Sequence, residues 1–253
     1  MEDPEQLSLL LENFSAIEGR KVLVHGGGRR ATKIASQLGI ESRMVGGRRI
    51  TDAEMLSVVT MVYGGLVNKN LVARLQSKGV NALGLTGADM DVIRSHKRPL
   101  KKVKTDDGCD EMVDFGFVGD VDYADGKRFA ELLESGITPV VAPLTHDGMG
   151  NMLNTNADTM ASTVAKALAE YYDVTLIFSF EKKGVLSNPD DDDSVIPVIT
   201  RTLYNKYVSE GVISGGMMPK IENALEAVGA GVKRVIITLA TAISDDSQGT
   251  TIQ

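Results

Sequence analysis

The chain has 253 residues, of which 43% are hydrophobic and 24% charged, a composition typical of a globular protein with a full core. Its net charge of −7 and the lack of a basic stripe with interleaved aromatic residues argue against a nucleic-acid partner. No apolar run reaches the roughly 18 residues of a membrane span, and no signal sequence is evident, so we expect a cytoplasmic protein without a membrane partner. The single cysteine, Cys109, excludes an intrachain disulfide and is predicted to be a surface thiol. Three histidines in unrelated contexts give no reason to predict a metal site.

Strand-like and helix-like segments alternate along the chain, which predicts a mainly parallel sheet covered by helices on both faces. Asp52 is placed to cap the longest predicted helix, and Gly64-Gly65 inside it indicates a close packing contact or a break. The basic residues 97–104 are predicted to form a solvated loop, because acidic residues follow them at once, and residues 188–193 an exposed turn. The predicted helices cover residues 7–17, 29–38, 53–78, 126–135, 156–169, 203–210 and 217–230, and the predicted strands cover 21–25, 82–85, 115–121, 138–142, 174–178 and 235–239.

Three consecutive glycines, Gly26, Gly27 and Gly28, follow the first predicted strand and open a predicted helix. Glycines at such a turn let backbone N–H groups approach a ligand, and the helix N-terminus favours an anion. The predicted ligand is therefore a phosphate or a carboxylate. A tight turn that needs positive φ is the alternative, and the triplet alone does not decide between them.

Two amides and a carboxylate, those of Asn154, Asn156 and Asp158, stand within five residues before an alanine-rich helix. Either asparagine could simply cap the helix, and the aspartate could complement the helix dipole. The crowding of these polar groups favours a binding function over capping alone.

Two further segments carry cations beside glycines. Gly216 leads into a helix that has Lys220 in its first turn, where a lysine is unfavourable for the helix dipole unless an anion offsets it. Arg49 offers a planar guanidinium suited to bidentate recognition of a carboxylate. A solvated lysine and a surface arginine are the alternatives.

Seven motifs occur in register and together carry a family resemblance: VLVHGGG, GRRIT, LGLTGAD, FGFVGDV, PVVAPL, NTNAD and GGMMPK. In this order and at these distances they resemble the amino acid kinase family, most closely its acylglutamate branch, from about Lys21 to Leu239. The resemblance implies a three-layer α/β/α sandwich with an open, mainly parallel central sheet. It also implies one domain over residues 1–253, with an acyl-amino-acid lobe at about 1–172 and a nucleotide lobe at about 173–253. A homodimer is implied, with residues 53–78 as the candidate interface helix, although the apolar stripe of that helix could equally be core.

The implied activity is ATP-dependent phosphorylation of the side-chain carboxylate of N-acetyl-L-glutamate, or of another N-acyl-L-glutamate such as N-succinyl, in arginine biosynthesis. The product is an acyl phosphate. Mg²⁺ would accompany ATP, held mostly by phosphate oxygens and water, so no dedicated protein ligands are expected. Because the attacking carboxylate is already ionised near pH 7, no general base is required.

Site roles also follow from the resemblance. Arg49 would hold the α-carboxylate of the acceptor, Lys220 would neutralise phosphate charge, and Asp158 would organise the lysines around the transferring phosphoryl group. Catalytic roles fall on Gly27, Gly28, Asp158 and Lys220; acceptor binding on Gly27, Gly28, Arg49, Asn154 and Asn156; and nucleotide binding on Gly26, Glu181, Gly216 and Lys220.

Three departures from the family pattern qualify these expectations. The family opens with a strand ending in K-x-G-G, whose lysine contacts the phosphoryl group, whereas Met1–Pro4 leads directly into the first predicted helix. We therefore expect that this sequence begins too late and that the chain as it stands is poorly active or inactive. The segment Glu181–Val185 replaces the usual D-V-x-G-V pattern, and the longer loop 97–114 leaves the acyl group open.

Rival hypotheses remain at this point. Another amino acid kinase, of carbamate, aspartate or uridylate type, is disfavoured by NTNAD and GRRIT. A non-catalytic ligand-binding relative is supported only by the missing lysine strand. A Rossmann dehydrogenase is disfavoured because the sequence has no G-x-G-x-x-G.

Overall fold

The protein was analysed as a computed structural model, which describes residues 3–46, 48–104, 110–215, 217–245 and 248–253. Gly216, Gly47 of the GRRIT motif and Cys109 lie outside these residues, so the predictions made for them are not addressed by the structure. The chain divides into two compact units. The N-terminal unit comprises Arg20–Ser77 and Asn81–Met160, and the C-terminal unit comprises Met1–Gly19, Lys78–Val80 and Ala161–Gln253.

Most predicted elements are confirmed, with ends that differ by a few residues. The helices are α1 (Pro4–Ala16), α2 (Gly28–Gln37), α3 (Ala53–Val59), α4 (Asn68–Gln76), α5 (Gly126–Glu134), α6 (Ala157–Leu168), α7 (Arg201–Ser209) and α8 (Met217–Gly229). The strands are β1 (Leu23–Val24), β2 (Met44–Val45), β3 (Arg48–Arg49), β4 (Ala82–Leu85), β5 (Ile93–Lys97), β6 (Lys101–Lys104), β7 (Asp110–Val113), β8 (Gly119–Ala124), β9 (Thr138–Val141), β10 (Leu144–His146), β11 (Met152–Asn154), β12 (Thr175–Phe180), β13 (Val198–Ile199), β14 (Arg234–Leu239) and β15 (Thr250–Ile252).

The N-terminal unit is built on a parallel three-stranded sheet in the order β1-β9-β4. Every residue of β9 is buried, which is the pattern expected of a central parallel strand covered on both faces. A second sheet has the order β11-β10-β5-β8, in which β10 runs parallel to β5 and the other neighbours are antiparallel. In the first sheet β1 ends just before the glycine triplet, and in the second sheet β11 ends at Asn154.

The longest predicted helix is present and starts where the sequence predicts. The carboxylate of Asp52 accepts from the Met55 N–H at 2.8 Å and caps α3. A π-helical segment, Thr60–Val67, joins α3 to α4, and it contains the Gly64-Gly65 pair. A Cβ at Gly64 would lie 3.5 Å from Leu144 Cδ1, so this glycine marks a close packing contact within a locally widened helix.

Among the described residues, one continuous helical stretch, Ala53–Gln76, is long and apolar enough by composition to cross a membrane. It has a core face: Met55, Val58 and Val62 are each no more than 1% exposed and pack in a cluster with Ala35 of α2 and Leu144 of β10. One face of this helix is therefore part of the core of the N-terminal unit.

The C-terminal unit has a four-stranded sheet in the order β12-β14-β15-β13. β12 and β14 are parallel, as are β13 and β15, whereas β14 and β15 are antiparallel. Ile221 and Ala224 of α8 pack with Val235 and Ile237 of β14 in the core of this unit. The predicted acidic turn at 188–193 is confirmed as exposed.

The solvated loop predicted over residues 97–104 is wrong for most of its length. Lys97 ends β5, and Lys101–Lys104 forms β6, which pairs antiparallel with β7 as a hairpin. The reason lies in the residues across the ladder: a basic strand faces an acidic one, and the ammonium of Lys102 lies 2.7 Å from the carboxylate of Asp110. Charges that repel along one strand are paired across two.

The division into units does not fall where the sequence places the lobes. It lies between Met160 and Ala161, inside α6, and α1 groups with the C-terminal unit. The predicted functional lobes, about 1–172 and 173–253, stay a prediction.

Candidate active site

The glycine triplet forms the turn between β1 and α2, and Gly27 occupies the N-cap position of the helix. Gly27 has an extended φ of 168°, and none of the three glycines is in the left-handed region. A Cβ at Gly27 would lie only 2.8 Å from Cδ1 of Tyr63, because the tyrosine ring lies directly against the turn. The alternative of a turn that needs positive φ is therefore wrong; close approach is what requires glycine at Gly27.

Arg49 lies beside this turn on β3 and is only 8% exposed. Its Nη2 donates to the carbonyl of Gly28 at 3.0 Å and to Thr32 Oγ1 at 2.9 Å. Its Nη1 donates to the hydroxyl of Ser42. Burial raises the pKa of the neighbouring Tyr63, against an opposing effect of the Arg49 charge. A charged guanidinium is thus held against the N-terminus of α2 by hydroxyl and carbonyl groups.

Thr51 and Asn154 form the next part of the arrangement. The Asn154 amide donates to Thr51 Oγ1 at 2.9 Å, and Asn154 is only 8% exposed. The backbone of Thr51 pairs with the segment around Gly116, whose φ is +71° and where a Cβ would overlap the Thr51 carbonyl. The FGFVGDV and GRRIT motifs therefore meet at this point, and the NTNAD motif reaches them through Asn154.

The start of α6 adds Asn156 and Asp158. Asn156 Oδ1 accepts from the Thr159 N–H at 3.0 Å, so the helix-capping interpretation describes this side chain. Asp158 is half-buried in the first turn. A Cβ on Gly26 would lie 3.8 Å from the Cβ of Ala157, which places the glycine turn against the start of α6.

The N-terminal unit thus brings together residues from three separate motifs at the starts of α2 and α6. They are Gly26, Gly27, Gly28, Arg49, Asn154, Asn156 and Asp158.

The remaining predicted residues belong to the C-terminal unit. Lys220 lies in the first turn of α8, and its ammonium sits 3.7 Å from the centroid of the Phe180 ring at the end of β12. This cation–π contact means that Lys220 is not merely a solvated surface lysine. Glu181 follows Phe180 and is exposed.

Several residues around the glycine turn were missed by sequence reasoning. Tyr63 and Asn68 approach the turn from the long helix, and Thr32 and Ser42 satisfy Arg49. The one available signal was the Gly64-Gly65 pair beside Tyr63, since it marks the place where this helix is packed closely.

Among the described residues, no group of three or more His, Cys, Asp or Glu side chains is arranged to hold a metal ion. The donors around the glycine turn are N–H groups, hydroxyls and a guanidinium, which suit anions rather than cations. These donors therefore suit a phosphate or a carboxylate ligand.

An α/β unit with a glycine turn at a helix N-terminus and a buried arginine beside it has groups suited to binding anionic small molecules, an arrangement also used by phosphotransferases. Comparison with protein families makes the assignment specific. Residues 1–239 match the amino acid kinase family, and the chain belongs to that family.

Individual relatives agree with this assignment. The chain is 64% identical to the acetylglutamate kinase of Bacteroides thetaiotaomicron over 253 residues, which cover 100% of this chain and 94% of that relative. It is 62% identical to the acetylglutamate kinase of Bacteroides fragilis, covering 100% of this chain and 93% of the relative. Among solved structures, it is similar to smu.665 from Streptococcus mutans UA159, with a TM-score of 0.72 and 32% identity over 92% of this chain and 85% of that one.

Proposed function

We propose that this protein phosphorylates the side-chain carboxylate of N-acetyl-L-glutamate with ATP, as a step of arginine biosynthesis. The full-length similarity to proteins named acetylglutamate kinase supports this function. The single structural observation that carries it is the hydrogen bond from the buried Arg49 guanidinium to the Gly28 carbonyl, at 3.0 Å. A guanidinium that would bind a carboxylate thus lies next to a helix N-terminus that would bind a phosphate, within one unit.

Arg49 would bind the α-carboxylate of the acceptor. Its guanidinium already donates to three oxygen atoms, two of which are the hydroxyls of Ser42 and Thr32. Each hydroxyl can rotate, so the substrate carboxylate, a stronger and charged acceptor, can replace it as the partner of the guanidinium. The Gly28 carbonyl keeps the guanidinium oriented. Asn154 would contact the N-acyl amino acid, and Asn156 would support that contact from the start of α6.

The chemical step is a displacement at the γ-phosphorus of ATP. A bond forms between an acceptor carboxylate oxygen and phosphorus, the bond from phosphorus to the β,γ-bridging oxygen breaks, and ADP leaves with that electron pair. The carboxylate needs no deprotonation, so catalysis consists of alignment and charge stabilisation. The N–H groups of Gly27 and Gly28 would donate to the transferring phosphoryl group.

The other predicted site residues would serve the nucleotide and the charge balance. Lys220 would neutralise phosphate charge, Gly26 and Glu181 would contribute nucleotide contacts, and Asp158 would organise the cationic groups. Mg²⁺ would enter with ATP, held by phosphate oxygens and water. Its charge would stabilise the phosphates as the bond to the leaving group breaks.

The proposal extends to cellular context and assembly. The protein would act in the cytoplasm, and it would form a homodimer through the helical stretch Ala53–Gln76. Met61 and Leu66 on that stretch are 56% and 39% exposed, which gives it an apolar outer face in addition to its core face.

Steady-state ADP formation tests the proposed function. The protein is incubated with ATP, Mg²⁺ and N-acetyl-L-glutamate, and parallel reactions contain N-succinyl-L-glutamate, L-glutamate or carbamate. Because the chain as it stands is expected to be poorly active, a version extended upstream by a K-x-G-G strand is assayed beside it. We expect turnover with an N-acyl-L-glutamate and none with the other acceptors. The comparison of the two N-acyl substrates fixes the acyl group.

Two variants make this test specific to the site. Arg49→Lys keeps the charge but loses the planar fork, so KM for the acceptor should rise about 10- to 100-fold. Arg74→Lys in α4 is the matched control and should leave KM unchanged. Turnover with carbamate instead would assign another branch of the family, and acceptor binding without turnover would favour a non-catalytic relative.

A further inference from the structure

His25 and Asn68 form a buried polar pair directly behind the glycine turn. They are 2% and 1% exposed, so both side chains are shielded from solvent. His25 Nδ1 lies 2.8 Å from the carbonyl oxygen of Gly26, and His25 Nε2 lies 3.1 Å from Asn68 Nδ2. Asn68 Nδ2 also donates to the carbonyl of Val140 on β9, at 2.8 Å.

These contacts fix which nitrogen of the imidazole carries the proton. The Val140 carbonyl can only accept, so the Asn68 amide must present its NH₂ group on that side. The same NH₂ group faces His25 Nε2, which is therefore the acceptor. The proton then resides on Nδ1, and it is donated to the Gly26 carbonyl. Burial lowers the pKa of His25, which agrees with a neutral ring.

The orientation of the Gly26 carbonyl determines the orientation of the next N–H group. In a trans peptide the C=O and the N–H point in opposite directions, so a carbonyl held toward the imidazole turns the Gly27 N–H away from it. We propose that His25, held in place by Asn68, is a positioning residue that aims the Gly27 N–H at the transferring phosphoryl group. This inference rests on the proposed function.

The His25–Asn68 pair buries a polar atom without a partner in the part of the chain that the structure describes, which is unfavourable for folding and supports a role beyond packing. Among the described residues, Asn68 Oδ1 has no hydrogen-bond partner although it is buried. A Cβ at Gly84 would overlap that oxygen, so the neighbouring strand β4 must carry glycine there to accommodate the amide. Replacing a buried polar pair by apolar groups of the same shape is often neutral for stability. Orientation of the Gly26–Gly27 peptide thus explains why a polar pair is present here although it leaves one oxygen unsatisfied.

Two substitutions at His25 separate the two ring nitrogens. An asparagine amide nitrogen reaches the position of Nδ1, so His25→Asn can still donate to the Gly26 carbonyl. A glutamine amide nitrogen reaches the position of Nε2, so His25→Gln loses that donor. We expect kcat to fall about 10- to 100-fold in His25→Gln, as for a misplaced transition-state donor, and to stay within about threefold of wild type in His25→Asn.

The Michaelis constants and stabilities complete the test. The KM for the acceptor should change little in either variant, because Arg49 is untouched, and the two variants should melt at similar temperatures. Gln76→Met removes a side-chain hydrogen bond to the Ala82 carbonyl in the same unit and serves as the stability control, with kcat expected to be unchanged. Equal losses of kcat in both His25 variants, in proportion to their loss of stability, would overturn the proposal.

Absence of turnover in both the chain and its upstream extension would instead count against the proposed function, and the positioning role is then measured by NMR. In protein labelled with ¹⁵N-glycine, the Gly27 amide resonance should move strongly in His25→Gln and only slightly in His25→Asn. A Gly27 resonance that is equally displaced in both variants, or in neither, would show that the imidazole does not orient this peptide.

Discussion

Two helices of this protein begin in the same way in sequence and for different reasons in structure. The start of α2 follows the triplet Gly26-Gly27-Gly28, and the start of α8 follows Gly215 and Gly216. At α2, Gly27 has an extended φ, and the Tyr63 ring leaves no room for a side chain. At α8, Gly215 has a φ of +58°, and a Cβ placed there would meet nothing within 4 Å.

Glycine can thus be required either by the side chains that surround the backbone or by the conformation of the backbone itself. At Gly27 the requirement is space, and it comes from a helix far along the chain. At Gly215 the requirement is conformation, and it is local. The size of a substituted side chain should therefore decide its effect at Gly27, and its tolerance of positive φ should decide its effect at Gly215.

The largest expected effect is that of Gly27→Ala. The new methyl group would lie 2.8 Å from the Tyr63 ring, so the turn or the ring must shift. A displacement of the order of 1 Å at a positioned group costs about 100-fold in rate, and we expect a loss of kcat of that size. Overpacking should also lower the free energy of unfolding by about 1–3 kcal/mol. ADP formation and urea unfolding measure the two effects.

Gly65→Ala provides the control for that experiment. A Cβ at Gly65 would meet nothing within 4 Å, and Gly65 lies inside a helical segment. Alanine should therefore be neutral or raise the free energy of unfolding by about 0.5–1 kcal/mol. A Gly27→Ala protein that retained full kcat would show that the Tyr63 ring moves away freely and that close approach is not the reason for glycine.

The next effect in size is that of Gly215→Ala, which should act through the backbone alone. An L-residue in the left-handed region costs about 1–2 kcal/mol, and asparagine tolerates this region better than alanine. We therefore expect the free energy of unfolding to fall by about 1–2 kcal/mol in Gly215→Ala and by less in Gly215→Asn. Chemical denaturation compares the two. Equal losses for both substitutions would mean that a contact, not φ, decides this position.

The same contrast explains how much could be predicted from the sequence. The helices were predictable because their apolar residues repeat with the helical period, as in α6, and the buried strand β9 was predictable because it is a short, continuously buried run. The two-residue strands β2 and β3 are too short to show a period. The β6–β7 hairpin was missed because its lysines were considered along one strand, whereas their partners, such as Asp110, lie across the ladder.

The candidate site was predictable where a local motif carries it and unpredictable where distant residues complete it. Arg49, Asn154 and the glycine triplet lie in motifs that a reader can recognise. Tyr63 and Asn68 make their contacts with the turn across more than 30 residues of sequence, and neither has a local pattern that indicates a site. Asn156 shows a further limit, since its side chain caps α6 while its motif also indicates binding.

The smallest predicted effect concerns the second helix start and the lysine that follows it. Lys220 is held over the Phe180 ring, and a cation–π contact at a partly exposed site contributes about 0.5–1 kcal/mol. Phe180→Leu keeps an apolar side chain but removes the ring, so Lys220 should become less ordered. The KM for ATP should then rise about two- to fivefold, with little change in kcat or in KM for the acceptor. Lys220→Ala is the reference, because it removes the cation outright and should weaken ATP binding further. If Phe180→Leu changed the KM for the acceptor and left the KM for ATP unaltered, Lys220 would not be a nucleotide-binding residue. The starts of α2 and α8 would then resemble each other in sequence alone.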